Sequence, residues 1–148
     1  AKKIVAEHPE LNLFITLGQG INYGIANECM NKMKEMSLSN SEAYYSLEYR
    51  HGPMSLVDEN TMIILLSNEE TVDGDVKLMT QMKEYGATIL AIGNNAVDYT
   101  LDMPYGYDSL QNAAMIGFIG QTMGYYLAEK KGLNADTPRH LSQAIVIK

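Results

Sequence analysis

LFITLGQGINYGIANECMNKMKEM, residues 13–36, reads as a strand, a glycine turn and a helix in direct succession. Leu13 to Leu17 is an apolar run of strand length, closed by Gly18-Gln19-Gly20, whose two glycines permit a tight turn. Beyond the turn, Ile21, Ile25, Cys29, Met33 and Met36 recur at helical spacing, so a helix is expected to about Met36 with these side chains inward. A strand that passes directly into a helix is the first half of a βαβ unit, whose ligands sit beside the strand-to-helix turn. The helix is therefore expected to carry its polar stripe close to such a crevice.

The same alternation continues outward. Ser41 to Ser46 reads as a short strand and Leu47 to His51 as a helical turn stopped by Gly52-Pro53. Thr61 to Leu66, TMIILL, is a continuous apolar run suited to a central strand buried on both sides. After the loop Ser67 to Thr71, a helix is expected from Val72 to Tyr85, ending at Gly86, then a strand at Thr88 to Ile92. Tyr99 to Met103 reads as an edge strand, and a long helix should start near Ser109 and stop before Gly132. Within that helix Gly120, Gly124 and Ala128 recur every four positions, which predicts close packing on the sheet or on a subunit partner. Strands alternating with helices build an α/β fold, a parallel sheet covered on both faces.

At 148 residues the chain suits one domain that buries roughly two-thirds of its unfolded surface. AKKIVAEHPELN, residues 1–12, reads as the end of an amphipathic helix with Ile4 and Val5 inward, leading into a domain over residues 13–148. The opening inside a helical pattern, without Met, gives the expectation that another domain precedes this one in a longer protein. The net charge of −7 and pI near 4.8, with 11 Lys plus Arg dispersed singly, argue against nucleic acid as partner. Ala113 to Ala128, the most apolar stretch, is too short to cross a bilayer and contains Gln121, so no membrane contact is expected. The single cysteine, Cys29, falls on the apolar side of its helix and suits a small buried hydrophobe in a reduced cytoplasmic interior.

The chemistry-bearing residues concentrate in two segments. Glu28, Lys32 and Glu35 stand four and three apart, which stacks two carboxylates and an ammonium along one helix stripe. Such a set can move a proton between adjacent carbons of a carbonyl compound, the carboxylate as base and the ammonium stabilising the oxyanion. A solvated Glu–Lys pair, contributing about 0.2–0.5 kcal/mol, is the alternative reading. His51, in Glu48-Tyr-Arg-His51-Gly-Pro53, ends a helical turn; it is either a loop histidine without a role or a group that protonates a sugar ring oxygen. His140, in Pro138-Arg-His-Leu141, could line a site if the tail folds back, whereas His8 sits in a linker. The loops Gly18-Gln-Gly20 and Ser67 to Thr71 each join a strand to a helix, where backbone N–H groups receive a phosphate. Glu69 and Glu70 in the second loop would repel one. With no zinc spacing, P-loop or dinucleotide fingerprint, neither a metal nor a cofactor is expected.

LGQGINYGIANECMNKMKEMS, SEAYYSLEYRHGP, DENTMIILLSN and GLNADTPRHLSQAIVI together resemble the second sugar isomerase (SIS) domain of the glucosamine-6-phosphate synthase and deaminase family, over nearly the whole chain. The resemblance implies a three-layer, flavodoxin-like sandwich with a five-stranded parallel sheet, and a homodimer of tandem-domain chains whose sites are shared. It implies that Glu35 moves the proton between the first two sugar carbons, that Lys32 supports it, and that Glu28 stands close by. His51 would help open the sugar ring in the neighbouring subunit's site, and the tail from His140 to Gln143 would close over the sugar. The chain departs from the synthase at Gln143, where an imine-forming lysine is expected; an amide cannot form an imine. The Ser67 to Thr71 loop also lacks the serine-rich phosphate motif of the first SIS domain. Deamination of an amino-sugar 6-phosphate is therefore the expected activity. Amine transfer from glutamine and a non-catalytic phosphosugar-sensing module remain as alternatives; an upstream helix-turn-helix segment would mark the module.

Overall fold

The computed structural model describes residues 1–67, 71–93, 97–101 and 110–141. In chain order the elements are α1 (Lys2–Glu7), β1 (Leu13–Gly18), α2 (Ile21–Ser37), β2 (Asn40–Tyr45), two 3-10 turns (Tyr49–His51 and Pro53–Leu56), β3 (Thr61–Leu66), α3 (Val72–Glu84), β4 (Thr88–Ile92), β5 (Tyr99–Leu101) and α4 (Leu110–Lys130). All five strands pair in parallel in the order β2-β1-β3-β4-β5. Because β1 is followed spatially by β2 on one side and β3 on the other, the strand order reverses between β1 and β3.

Alternation along the strands sorts the core into two layers. Phe14, Met62, Ile64, Leu66, Leu90 and Ile92 face α1, α2 and α4, joining Ile4, Ala26, Cys29, Met33, Ile116, Met123 and Leu127. Their neighbours in sequence, Leu13, Ile15, Leu17, Ile63, Leu65, Ile89 and Ala91, face the other way onto Tyr49, Leu78, Met79 and Met82. Each fully buried side chain of this size contributes about 1.5–3 kcal/mol of transfer free energy, so both layers must be covered. The sequence reading of Thr61–Leu66 as a buried central strand and Thr88–Ile92 as a strand coincides with β3 and β4 residue for residue.

Three expectations need correction. The buried face of α2 is Asn22, Ala26, Cys29, Met33 and Ser37: Cys29 and Met33 face inward as expected and Ile25 packs partly buried against the core, but Ile21 is exposed. Spacing cannot distinguish that face from one rotated by about a residue, because α2 packs through small side chains. Second, the small residues of α4 approach α2, not the sheet or a subunit: a Cβ on Gly120 would lie 2.6 Å from Cys29 Sγ and 2.7 Å from its Cα. One on Gly124 would lie 2.9 Å from the Lys32 carbonyl oxygen. This contact also settles Cys29, whose Sγ donates to the Ile116 carbonyl at 3.6 Å and whose thiol burial pushes up to about 11. Third, the boundaries shift by a residue or so: β2 starts at Asn40, α2 ends at Ser37, α3 ends at Glu84 and α4 starts at Leu110. β5 is described to Leu101, and the expected continuation to Met103 lies outside the described residues.

Candidate active site

The stripe on α2 forms as its spacing dictates. Lys32 Nζ lies 2.9 Å from Glu35 Oε2 and 3.5 Å from Glu28 Oε1, so one ammonium is held between two carboxylates on the edge of the buried face. The hydrogen bond from Lys32 to Glu35 holds the ammonium above the usual lysine value, with burial opposing and Glu28 adding. Lys32 thus keeps its charge throughout the neutral range. α2 then ends abruptly: Leu38 takes a left-handed conformation at φ 50, and the Ser39 N–H reaches back to the Met33 carbonyl at 3.2 Å. Lys131, just after α4, donates to the Ser37 carbonyl and the Ser39 hydroxyl at 2.9 and 2.8 Å, fastening the two helix ends together.

That junction turns the chain back over Glu35. Residues 133–139 form a turn in which Asn134 Oδ1 accepts from the Asp136 N–H at 3.0 Å. Glu35, Met36 and Leu38 meet Leu133, Asn134, Thr137, Pro138 and Arg139 around an open cleft of about 170 Å³. Arg139 is a cleft residue the sequence reading quoted in its motif without assigning to the site. His140 follows at φ 67, exposed, outside the cleft lining. Gln143 lies outside the described residues.

The glycine loop and Ser67 are elsewhere. Since β1 and β2 are parallel, α2 runs back along the sheet, and a rise of about 1.5 Å per residue puts Glu35 about 20 Å along the axis from Ile21. Glu35 therefore lies toward the strand N-terminal ends, with Glu28 about midway along the helix, not beside the crevice where β1 and β3 finish. This corrects the expectation that the strand-to-helix turn and the stripe share one crevice. Gly18 has a packing reason to be glycine, because a Cβ there would sit 2.7 Å from the Asn22 backbone. Asn22, a residue the periodicity overlooked, is buried and donates from Nδ2 to the Ser67 carbonyl at 3.0 Å, tying α2 to the end of β3. Gly20 sits exposed at φ 54 as the α2 N-cap. The Thr71 hydroxyl, at the start of α3, donates to Asp75 at 2.9 Å, and Asp73 shares that first turn. Two carboxylates on this helix start oppose the anion that its dipole would otherwise attract.

His51 is separated by the sheet itself. The 3-10 turn that carries it is anchored by the buried Tyr49, which packs on the α3 layer with Met54 and Val57, whereas α2 lies on the opposite layer. Gly52 then takes φ 146 to turn into the second 3-10 turn. His51 is exposed.

An all-parallel five-stranded sheet with charged chemistry at the far end of its first crossover helix matches a known family: the SIS domain family matches residues 12–128. The chain belongs to the SIS domain family. This SIS domain is 32% identical over 150 residues to the isomerising glutamine–fructose-6-phosphate aminotransferase of Buchnera aphidicola, covering 98% of the chain and 25% of the relative. It superposes on the crystal structure of glucosamine-6-phosphate deaminase from Thermotoga maritima with a TM-score of 0.83 and 30% identity, over 99% of this chain and 44% of that one. The C-terminal domain of glucosamine–fructose-6-phosphate aminotransferase from Francisella tularensis gives 0.77 and 29%, over 92% and 40%. The chain thus spans about a quarter of the length of the curated relative and less than half of either structure.

Proposed function

We propose that this SIS domain contributes part of the active site of an enzyme that isomerises and deaminates an amino-sugar 6-phosphate, with glucosamine 6-phosphate as substrate. The observation that carries the reading is the Lys32–Glu35 pair at a cleft bounded by the 133–139 turn. In this account, once the ring is open, the Glu35 carboxylate takes the proton from sugar C2 and returns it to C1, while the C1 carbonyl oxygen gains a proton and the C2 amine loses one, giving the ketose imine. Water then adds to the imine carbon and ammonia leaves, giving fructose 6-phosphate. Lys32 fixes the carboxylate and offers positive charge to the oxyanion that forms on the sugar. His51 assists ring opening in a site of a second subunit, a role supported by its place on the opposite layer from Glu35. Glu28 holds Lys32 from the other side. The phosphate is held outside this domain, a reading supported by the carboxylates at the start of α3. Gln143 favours release of ammonia over imine chemistry on a tail lysine.

The aminotransferase is the second reading, favoured by the 32% identity to the Buchnera relative over nearly the whole chain. Incubating the full-length protein with glucosamine 6-phosphate, and separately with fructose 6-phosphate plus glutamine, separates the two. Ammonia and fructose 6-phosphate appearing together support deamination; glutamine-dependent glucosamine 6-phosphate supports transfer. Binding of the sugar phosphate without turnover in either direction would overturn both and leave a sensing module.

A further inference from the structure

On the α3 side of the sheet, away from the Glu35 cleft, Arg50, Gly52, Met54, Ser55, Val57 and Tyr85 enclose an open cavity of about 410 Å³. Its volume is within the range of small-molecule sites. Arg50 is half-buried, and its Nε is fully buried with no hydrogen-bond partner. Among the described residues no carboxylate stands within ion-pair distance of it, in a chain with 18 acidic and 11 basic residues. A buried guanidinium N–H without a partner is costly, and its planar fork matches the two oxygens of a carboxylate or phosphate. The acid on the adjoining turn is already engaged: Asp58 accepts from the Asn60 N–H, the Asn60 amide and the Thr61 hydroxyl.

The rest of the lining has a different chemistry. Tyr85 caps α3, and its ring is steadied by Gln81 Nε2, which donates to the Tyr85 hydroxyl at 3.0 Å. Met54 and Val57 supply apolar wall and Ser55 a hydroxyl. A guanidinium and an aromatic ring lining one cavity suit a flat body that carries an anion.

We propose that this cavity binds a small ring-bearing phosphate or carboxylate, the guanidinium of Arg50 gripping the anion and Tyr85 packing on the ring. Within this domain the cavity lies on the α3 layer, opposite the α2 layer that carries the Glu35 cleft. The test is an NMR titration of the full-length protein, labelled at the methionine methyls, with phenyl phosphate, benzoate and inorganic phosphate. The Met54 methyl shifts saturably with phenyl phosphate or benzoate, and phenyl phosphate binds roughly fivefold more tightly than inorganic phosphate because of the ring. Arg50→Gln weakens binding roughly tenfold or more, and Tyr85→Ala brings phenyl phosphate down to the level of inorganic phosphate. Arg50→Lys, which keeps the charge and loses the fork, serves if the glutamine variant does not fold. An unmoved Met54 methyl, a response unchanged in both arginine variants, or displacement of phenyl phosphate from Met54 by fructose 6-phosphate would overturn the proposal.

Discussion

The two ends of α2 have opposite characters. At its N-terminal end the chain is closed by packing: Gly18 lies against the Asn22 backbone, Asn22 hydrogen-bonds across to Ser67, and the neighbouring helix start carries Asp73 and Asp75. Toward the other end, Glu28 and Lys32 lead to Glu35, about 20 Å along the axis, which lines an open cleft under the 133–139 turn. The usual expectation for a doubly wound sheet puts ligands at the first end. Here the end with groups suited to chemistry is the other one, and what keeps it in place is α4, whose Gly120 and Gly124 lie on the backbone of the same helix.

The sharpest way to break this contrast is Glu35→Gln, which preserves shape and removes the base. Turnover of the full-length enzyme should fall on the order of 100-fold or more, with an unchanged melting temperature. Equal activity in that variant would return the open end of α2 to an ordinary solvated pair. Next in size is Gly120→Ala, which forces a methyl into Cys29 and should destabilise by about 1–3 kcal/mol in denaturant unfolding, where a neutral result would mean that α2 and α4 can separate freely. Asn22→Ala probes the closed end. It should cost about 1–2 kcal/mol of stability by leaving the Ser67 carbonyl without its side-chain donor, while KM for the sugar phosphate stays as it was. A raised KM would make the crevice part of the substrate site after all. The smallest effect is expected at Leu38→Gly, which relieves the left-handed residue that stops α2 and should stabilise by roughly 0.5 kcal/mol, as read from the urea midpoint.

The sheet was legible because buried parallel strands write themselves as unbroken apolar runs, as TMIILL and TILAI do. The Glu28, Lys32, Glu35 cluster was legible for the same reason, since three residues on one helix need only the helical repeat to meet. Asn22 was hidden because its partner is a backbone carbonyl 45 residues away, which no local spacing encodes. Arg139 could be found only through the turn chemistry of Asn134 and Asp136 that brings it to Glu35. His51 shows the limit most plainly: its motif sits close in sequence to the stripe, yet Tyr49 anchors it to the opposite layer, and sidedness emerges only once the sheet is assembled.

That sidedness is the centre of the account, because the proposed function has Glu35 and His51 from different chains serving one reaction. Mixing the inactive full-length variants Glu35→Gln and His51→Ala, after exchange of subunits, tests it directly. In the hybrid dimer one site regains both native groups, so activity should return to about a quarter of wild type from two inactive parents. A mixture that stays inactive despite demonstrated subunit exchange would contradict the shared site.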